Sequence, residues 1–502
     1  MNRSSIARFA LAAVLAAGAT PLSALRTTQA QSIGQPFTTR IYIQNPNSSA
    51  ATGIVNFYDE ITGNPQSVNV PFNLNANGST EILIGSLTGL GSPWKGSAVV
   101  SADQPVVASS VQVPPTGYGH IMANAFTSAD STSSLFLTTF LGAGNPTNSV
   151  SLFAVQNTES VPINIRARFI NISGIEVASP TLTLPAFASK FFDGNNASSI
   201  GGGYTNPFNG SVVVTATKVS DGTPALIVGV AEERRTDTGG LFSSQAYGFE
   251  AIPQSAGSTT VYMPTALCNF GGATTYFAAQ NLSFNTPTVV TVTYAAGSGT
   301  TPSPAVNTIQ PLAKWSFNPC QTNGNQSYSG AAVIQSSAAP VAAIGKAREE
   351  VGTNPRYQTA YLAQATSTSR LAIPFVRWSP ANDQGFRSFI AIQNIGPSPI
   401  PAGQLTVKYY APSGGAPVNT CTSAVNMPAG AKLNSNVAAA FAGGTNFNCS
   451  TTQPANGASY TFSGSAVVEG PPGSSIIAVI RYRPDNAAVQ VHTEDMNAIP
   501  LP

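Results

Sequence analysis

Charged residues are scarce throughout the chain. Asp, Glu, Lys and Arg make up only 8% of the 502 residues, whereas they make up about a quarter of an average soluble domain. The formal net charge is +2 and no cluster of Lys or Arg occurs, so nucleic-acid binding is not predicted. Because 42% of the residues are hydrophobic, the composition also differs from that of a disordered chain, which combines low hydrophobicity with high net charge.

Histidine is nearly absent as well. The chain contains only His120 and His492, and a catalytic triad or a histidine-based metal site needs more partners than these. Asp59 and Glu60 are adjacent and lack the separated partner that a pair of glycosidase carboxylates requires. The sequence therefore predicts no catalytic, cofactor-binding or metal-binding residues, and no enzymatic activity.

Long hydrophobic runs are missing too. The apolar run over residues 9–19 is well short of the ~20 residues that span a membrane. It follows Arg3 and Arg8 and is rich in Ala, which is typical of a signal peptide, with cleavage after Ala30. We therefore predict a signal peptide over residues 1–30, export to the cell surface or the medium, and no membrane span.

Cysteine does not occur before Cys268. Cys268 and Cys320 lie in one stretch, and Cys421 and Cys449 lie in another. An oxidising compartment favours disulfides over free thiols, so one bridge within each stretch is the simplest pairing, although sequence cannot fix connectivity. Metal binding is the competing interpretation, but the close Cys-x-x-Cys spacing and neighbouring His of zinc sites are missing.

What the chain does contain is a fourfold repeat. Four apolar strands end in the same dipeptide, at Gln44-Asn45, Gln156-Asn157, Gln280-Asn281 and Gln393-Asn394. The Gln positions are 112, 124 and 113 residues apart, about the length of one small domain. A turn and a second, alternating strand follow each copy, and an aromatic residue lies at the end of that strand.

The remainder of each repeat is equally regular. A Gly-containing turn comes next, and later a strand opens with Gly, as in Gly96-Ser97-Ala98-Val99-Val100, and leads into an apolar partner strand. The 45 Gly and 38 Pro argue against long helices. Six or seven short strands in ~110 residues, with frequent turns, are typical of a β-sandwich.

The predicted fold class is therefore all-β, with four tandem β-sandwich domains after the signal peptide. The predicted boundaries are residues 31–128 for repeat 1, 129–255 for repeat 2, 256–364 for repeat 3 and 365–502 for repeat 4. Gln-Asn itself is interpreted as structural, because Asn caps turn backbone and the Gln amide can bond a neighbouring strand. Variable function is expected in the loops that follow, residues 46–50 and their counterparts.

One strand is missing from this count. A strand precedes the Gln-Asn strand in three repeats, at Leu135 to Leu141, Val261 to Ala266 and Leu371 to Val376. Counting back from Gln44 places the fourth copy inside the predicted signal peptide, where no matching sequence occurs. Repeat 1 is therefore either complete with fewer strands, or it exposes a sheet edge that can pair with another chain.

The densest charge falls at equivalent places in repeats 2 to 4. The clusters are Glu232-Glu233-Arg234-Arg235 with Asp237, Arg348-Glu349-Glu350, and Arg481-Tyr482-Arg483 with Asp485. Mixed signs predict pairs that keep an exposed strand soluble and protect its edge. Calcium binding at repeat junctions is the alternative, which the interleaved Arg and the lack of an Asp-x-Asp-x-Asp-Gly loop disfavour.

Taken together, the chain resembles the tandem immunoglobulin-like repeat proteins that bacteria export to their surfaces. The Gln-Asn strands, the strands that end in Tyr, and the Gly-Ser-Ala-Val-Val strand with its Pro-Val-Val partner carry this resemblance, which covers nearly all of residues 33–500. It implies immunoglobulin-like sandwiches with a structural or adhesive role at the surface, and no active site. The expected partners are other surface proteins, a second copy through edge-strand pairing, or glycans.

Two other functions stay open. An extracellular carbohydrate-binding array would use Trp94, Trp315 and Trp378 as stacking platforms, although they lie at non-equivalent points of their repeats. A secreted hydrolase would need a nucleophile and a base that converge from different repeats.

Overall fold

The computed structural model describes residues 7–13, 38–91, 94–113, 120–145, 147–236, 242–295, 297–351, 354–378, 386–436, 446–450, 462–484 and 493–501. It is almost all β, with 60% strand and 3% helix, arranged in several antiparallel sheets. The predicted all-β class is confirmed. The short helices are Ile84–Ser86, Ala197–Ile200, Gln254–Ala256 and Pro319–Gln321.

Repeat 1 forms two sheets together with a strand from the predicted signal peptide. Its strands are β1 (Ala7–Ala13), β2 (Thr38–Gln44), β3 (Ala51–Asp59), β4 (Pro65–Leu74), β5 (Ser79–Leu83), β6 (Gly96–Ala102), β7 (Val107–Val113), β8 (Ile121–Asn124) and β9 (Phe126–Thr127). One sheet has the order β4-β3-β6-β1-β9 and the other has the order β5-β2-β7-β8.

Repeat 2 has the same plan. Its strands are β10 (Ser134–Leu141), β11 (Ser149–Asn157), β12 (Ile163–Asn171), β13 (Glu176–Ala178), β14 (Thr181–Leu184), β15 (Ser189–Asp193), β16 (Asn209–Lys218), β17 (Ile227–Thr236), β18 (Phe242–Glu250) and β19 (Ile252–Pro253). The orders are β13-β12-β16-β10-β19, with β14 also on β12, and β15-β11-β17-β18.

Repeat 3 follows with two more sheets. Its strands are β20 (Thr260–Cys268), β21 (Ala273–Asn281), β22 (Thr288–Tyr294), β23 (Ser298–Gly299), β24 (Ala305–Ile309), β25 (Lys314–Phe317), β26 (Tyr328–Ser336), β27 (Val341–Val351) and β28 (Asn354–Leu362). The orders are β20-β26-β22-β24, with β23 on β26, and β25-β21-β27-β28.

In repeat 4 the two sheets are joined into one. Its strands are β29 (Arg370–Trp378), β30 (Phe386–Asn394), β31 (Thr406–Tyr410), β32 (Asn419–Ser423), β33 (Lys432–Asn436), β34 (Phe447–Cys449), β35 (Phe462–Glu469), β36 (Ile476–Pro484), β37 (Glu494–Asn497) and β38 (Ile499–Pro500). The order is β34-β32-β31-β35-β29-β30-β36-β37, with β33 on β30 and β38 on β29. The pair between Trp378 and Arg387 makes the connection between β29 and β30.

Corresponding strands hold corresponding places. The Gln-Asn strand (β2, β11, β21, β30) always pairs with the apolar partner strand (β7, β17, β27, β36). The last strand of more than two residues in each repeat (β8, β18, β28, β37), which we call the final strand, pairs with the other side of that partner strand.

Alternating apolar residues build the core between the two sheets of a repeat. On β12, Ile163, Ile165, Ala167 and Phe169 are fully buried, whereas Arg166 between them is exposed. They belong to the same buried cluster as apolar residues of the second sheet of repeat 2, which includes β11 and β17. Because side chains alternate across a strand, the two sheets turn one face each toward this core.

The Asn of each Gln-Asn pair is confirmed as a turn cap. Asn45 Nδ2 donates to Ser49 O at 2.7 Å and to Asn75 O at 2.9 Å, and its Oδ1 accepts from the Asn47 amide at 3.1 Å. The same pattern recurs at Asn157, Asn281 and Asn394. Each Asn therefore ties two loops of its repeat together, which explains why the dipeptide recurs.

The repeats do not form an open row. The final strands contact one another in order, β8 with β18, β18 with β28, β28 with β37, and β37 with β8. Gln44 Nε2 of repeat 1 donates to Ala466 O of repeat 4 at 3.5 Å, and Gln156 Nε2 of repeat 2 donates to Ser97 Oγ of repeat 1 at 2.7 Å. Repeat 4 thus packs against repeat 1 and closes the structure.

Three glycine turns explain how neighbouring repeats approach so closely. Gly63, Gly174 and Gly414 have positive φ, and each lies against a turn of the next repeat: residues 186–188, 310–313 and 76–78 respectively. A Cβ at Gly63 would lie 1.8 Å from Ala186 O, and one at Gly414 would lie 2.5 Å from Ala76 O. Only glycine combines this backbone conformation with such a contact.

Both predicted disulfides are present at the expected pairs. Cys268 and Cys320 join β20 to the short helix Pro319–Gln321 of repeat 3, and Cys421 and Cys449 join β32 to β34 of repeat 4. Each bridge lies within one repeat.

Candidate functional site

The four final strands and their partner strands meet at the centre of the structure, which we call the central contact zone. Each final strand pairs with a partner strand on one side and contacts the final strands of the neighbouring repeats. In repeats 2 to 4 the partner strands carry the charged clusters singled out in the sequence. These clusters are therefore brought to the places where repeats touch.

An ion pair joins repeats 2 and 3 in this zone. Lys346 Nζ lies 2.6 Å from Glu233 Oε2, and the two side chains are 14% and 3% exposed. The Tyr247 hydroxyl donates a hydrogen bond to Oε1 of the same carboxylate. Burial, followed by the Glu233 charge, raises the pKa of Tyr247 well above its ordinary value, so that it remains a donor.

Lys314 lies beside this pair. Its Nζ donates to Thr139 Oγ1 of repeat 2 at 3.0 Å, and Lys346 Nζ is 3.3 Å from the same oxygen. Burial, and next the Lys346 charge, lower the pKa of Lys314 to about 7, although Glu233 acts in the opposite direction. A neutral amine can attack a carbonyl, but here the amine is bonded to Thr139 and the residue is only 5% exposed.

Asp495 of repeat 4 joins repeats 3 and 4. Arg481 donates to it in bidentate fashion, with both N–O distances 2.7 Å, and Thr359 of repeat 3 donates to Oδ2 at 2.6 Å. An ion pair also links these two repeats, with 3.3 Å between Arg483 Nη2 of repeat 4 and Glu349 Oε2 of repeat 3. Bidentate charged hydrogen bonds are directional. Arg481 on β36 therefore fixes the orientation of the Asp495 carboxylate on the neighbouring strand β37.

The contacts made by repeat 1 are of a different kind. Gln112 Nε2 donates to Glu232 Oε1 of repeat 2 at 2.8 Å, and Arg234 of repeat 2 neutralises that carboxylate at 2.6 Å. Asn124 Nδ2 donates to Asn497 O of repeat 4 at 3.0 Å. Repeat 1 thus contributes amides where repeats 2 to 4 contribute charges.

Glu494 is the most unusual side chain in this zone. It is fully buried, and neither carboxylate oxygen has a hydrogen-bond partner among the described residues. Burial, followed by the negative charges of Asp495 and Glu232, raises the pKa of Glu494 well above its ordinary value. Burial therefore favours the neutral form of this carboxyl group, because an unpaired buried charge is costly.

A cavity with an interior of about 230 Å³ opens where all four repeats meet. Equivalent segments line it, namely residues 124–126, 250–253, 362–365 and 497–500. The Glu250 carboxylate accepts a hydrogen bond from the Asn124 amide, and burial raises the pKa of Glu250. Most of the wall is apolar, and its polar groups bond one another across repeats.

The structure corrects the interpretation of the charged clusters as exposed pairs. Glu232, Glu233, Arg234 and Glu349 are between 1% and 4% exposed. Strand alternation indicates a polar face, but it cannot distinguish a face in water from one that meets another repeat. Of the sequence-predicted charges, Asp237 and Asp485 lie outside the described residues.

Calcium gains no support from this geometry. Within the ranges that the structure describes, no group of three or more His, Cys, Asp or Glu could hold a metal ion. The carboxylates of Glu232, Glu233 and Asp495 are each bonded by a cationic side chain.

The remaining candidates are scattered. Trp94 is 8% exposed and packs edge-on against Phe57, and Trp315 lies partly buried with its ring 4.3 Å from that of Phe317. Trp378 is partly buried against the core of repeat 4. They do not converge on one surface that could serve as a sugar platform.

The two histidines and the Asp59–Glu60 pair are the last of the residues weighed from the sequence. His120 is half-buried just before β8, and His492 lies outside the described residues. Asp59 accepts hydrogen bonds from the amides of Ile61 and Thr62 and thereby caps a turn. This assigns Asp59 a local structural role.

Several residues of the central contact zone were not singled out from the sequence. Tyr247, Thr359, Glu494 and Asp495 lie on final strands, between the charged clusters of the partner strands and the ends of the repeats. A usable signal was present: Glu494 and Asp495 are consecutive acids directly before an apolar strand end. Such a pair is out of place in a buried strand unless it has partners elsewhere.

In comparisons with known proteins, no family model and no curated protein matches the chain. Among the described residues, no helix has the length and apolar character needed to cross a membrane.

Proposed function

We propose that the chain is an exported, non-enzymatic structural or adhesive protein, built from four immunoglobulin-like β-sandwich domains that correspond to the four repeats. One observation carries the proposal: the charged side chains of the partner strands are buried and bonded to one another between repeats. Groups that could do chemistry in an open cleft are instead used to hold the repeats together.

The exposed loops support the adhesive part of the proposal. The segments after the Gln-Asn pairs contain exposed residues at 48–50, 160–162, 284–287 and 397–399. The Asn caps hold their bases, while their sequences differ between repeats. A rigid framework with variable exposed loops is a common arrangement for binding surfaces.

Export is supported by two features of the chain. Its two disulfides suit an oxidising compartment, and the first 30 residues have the composition of a signal peptide. The surface of the protein, poor in charge and rich in neutral polar residues, suits an extracellular role.

Cell fractionation with N-terminal sequencing tests the proposal. We expect the protein in the medium or in the surface fraction, with a new N-terminus at or near residue 31. A cytosolic protein that retains residues 1–30 would contradict export. A hydrolytic activity that survives purification and is lost in the Lys314→Met variant would contradict the non-enzymatic assignment.

A further inference from the structure

Another cavity opens between repeats 2 and 3, beside the Glu233–Lys346 ion pair, and we call it the 2–3 cleft. Its interior is about 380 Å³, which falls within the range of small-molecule sites, ~300–1,000 Å³. The cleft is open to solvent, because four of the residues that line it are exposed: Thr147, Asn209, Tyr276 and Ser316.

The charges that line the 2–3 cleft are mostly positive. Lys314, Lys346 and Arg348 are its three cationic side chains, whereas Glu233 is the one acidic side chain among its described lining residues. Glu233 is paired with Lys346. Lys314 makes no ion pair with any residue that the structure describes. An excess of cations along the walls of a cleft attracts anions.

Lys314 has hydrogen-bond donors to spare. An ammonium group carries three N–H donors, and Thr139 Oγ1, 3.0 Å from Nζ, is the one acceptor that the described residues offer it. Lys346 Nζ is 3.3 Å from the same oxygen, so the two ammonium groups lie close together where Thr139 lines the cleft. A ligand carboxylate beside them would use the remaining donors of Lys314, and such charge-assisted bonds are strong.

Gln358 provides a second group without a partner. Its side chain lines the cleft, the residue is only 8% exposed, and its Oε1 has no hydrogen-bond partner among the described residues. Leaving a buried polar atom unpaired is costly, and a ligand hydroxyl that donates to Oε1 would remove that cost. The cleft therefore suits an acid that also carries hydroxyl groups.

The pairing of the two lysines indicates the charge of the ligand. Because Lys346 is already paired with Glu233, Lys314 is the lysine whose single positive charge is unmatched within the described residues. A carboxylate matches it with one negative charge, whereas a phosphate group carries about −1.5 to −2. A carboxylate is therefore favoured over a phosphate.

A similar arrangement recurs between repeats 3 and 4. Lys314 lies opposite Gln280 on the neighbouring strand of repeat 3, and Lys432 lies opposite Gln393 in repeat 4. Lys432 makes no ion pair with a described residue, and it lines a cavity of about 260 Å³. That cavity also has three cations and one carboxylate, namely Lys432, Arg481, Arg483 and Asp495. The recurrence of this charge pattern at two junctions is a second observation that points to an anion.

We propose that the 2–3 cleft binds a small hydroxylated carboxylic acid, such as a uronic acid. Lys314 and Lys346 donate to its carboxylate, and Gln358 accepts from one of its hydroxyl groups. The inference goes beyond the proposed function and holds whether or not the chain is exported, because it needs only the contact between repeats 2 and 3.

Isothermal titration calorimetry of the full chain with sodium glucuronate, at constant ionic strength, tests the proposal. We expect saturable binding that glucose, which lacks the carboxylate, does not show. Inorganic phosphate should bind at least about tenfold more weakly. Absence of glucuronate binding would overturn the proposal, and phosphate binding as tight as that of glucuronate would overturn the assignment to a carboxylate.

Two variants locate the site. Lys314→Met should weaken glucuronate binding at least about thirtyfold, as expected for loss of a buried charged contact. Gln358→Met should weaken it about three- to tenfold, as expected for one neutral hydrogen bond. Lys218→Met, in a more exposed ion pair of repeat 2, is the control and should bind as the wild type does.

The near-UV circular dichroism of each variant shows whether it is folded, so that loss of binding is not mistaken for loss of structure. Wild-type affinity and an unchanged number of sites in folded Lys314→Met would overturn the proposed site. If that variant does not fold, wild-type affinity in Gln358→Met would do the same.

Proton uptake gives a measurement that a purely structural role of Lys314 would not affect. Burial, and next the Lys346 charge, lower the pKa of Lys314 to about 7, and the other titratable side chains that line the cleft are Arg348, Glu233 and Tyr276. At about pH 8 the amine of the free protein is mostly neutral, and a bound carboxylate favours its charged form. Titrations in two buffers of different ionisation enthalpy should therefore show uptake of close to one proton per glucuronate. Binding without proton uptake would overturn the contact between Lys314 and the carboxylate.

Discussion

The junction between repeats 2 and 3 and the junction between repeats 4 and 1 share one geometry but use different chemistry. In both, a glycine turn lies against a turn of the next repeat, at Gly174 and at Gly414. The 2–3 junction adds the buried Glu233–Lys346 ion pair. The 4–1 junction adds amide and backbone hydrogen bonds, such as that from Asn75 Nδ2 to Ser413 O at 3.0 Å.

The difference shows which property the fold requires. The turn contact recurs at both junctions and sets the approach of neighbouring repeats, whereas the buried polar groups vary from one junction to another. In some systems a buried ion pair adds little net stability, and its main effect is to favour one arrangement of the packed elements over others. We therefore expect the 2–3 junction to be sensitive to loss of one charge and the 4–1 junction to be sensitive to backbone crowding.

Removing one charge from the 2–3 junction should have the largest effect. Lys346→Met leaves Glu233 buried without its cation and should lower the free energy of unfolding by about 3–5 kcal/mol. Chemical denaturation of the oxidised protein measures this change. The double variant Glu233→Gln, Lys346→Met should recover most of the loss, and Lys218→Met, in a more exposed pair, should cost less than about 1 kcal/mol.

Removing a disulfide should destabilise the repeat that contains it, and that repeat forms one side of a junction. The Cys268–Cys320 loop spans 52 residues and the Cys421–Cys449 loop spans 28, so loss of either bridge should cost about 3–4 kcal/mol. Hydrogen exchange should then increase in repeat 3 for the Cys268→Ala, Cys320→Ala variant, and in repeat 4 for the Cys421→Ala, Cys449→Ala variant. Equal increases in all four repeats in both variants would show that the junctions transmit the change.

Crowding the glycine turn should affect the 4–1 junction. Gly414→Ala combines a positive φ with a Cβ 2.5 Å from Ala76 O, and we expect a loss of about 2–3 kcal/mol. Gly403→Ala is the matched control, since Gly403 has a similar φ and no neighbouring atom within 4 Å. It should cost only about 1 kcal/mol. Equal effects of the two substitutions on the unfolding free energy would argue against a close 4–1 contact.

The 2–3 junction should also depend on pH through Lys314. Its folded pKa of about 7 lies below the unfolded value of about 10.4, so the unfolded state binds more protons between these limits. Burial of Lys314 therefore destabilises the folded protein most at pH 7 and below. As pH rises above 7, the free energy of unfolding increases by up to about 1.4 kcal/mol per pH unit. Lys314→Met should be more stable than the wild type near pH 7, with the difference shrinking toward pH 10. A difference that is constant with pH would contradict the lowered pKa.

Much of this architecture could be predicted from sequence, and the reasons are local. The Gln-Asn strands and the Gly-opened strands follow from short-range patterns that each repeat must satisfy for itself. The disulfide pairs are the simplest pairing of two cysteines within a repeat, although sequence alone does not fix it. The turn capping by Asn45 and its three counterparts follows from the chemistry of one side chain.

The parts that could not be predicted depend on contacts between repeats. The charges at Glu233 and Glu349 are predicted to be solvent-exposed because nothing in the strand pattern records a neighbouring repeat. The turn at Gly414 is recognisable as a turn, but its approach to residues 76–78 joins parts of the chain more than 300 residues apart. The pairing of Ala7–Ala13 with β6 likewise depends on a distant surface of repeat 1.

Small-angle X-ray scattering on the full chain tests most directly whether repeat 4 returns to repeat 1. A closed, compact arrangement of this length should have a radius of gyration of about 23 Å. A radius well above that value, together with the long maximum dimension of four sandwiches in a row, would contradict the closed structure and, with it, the central contact zone.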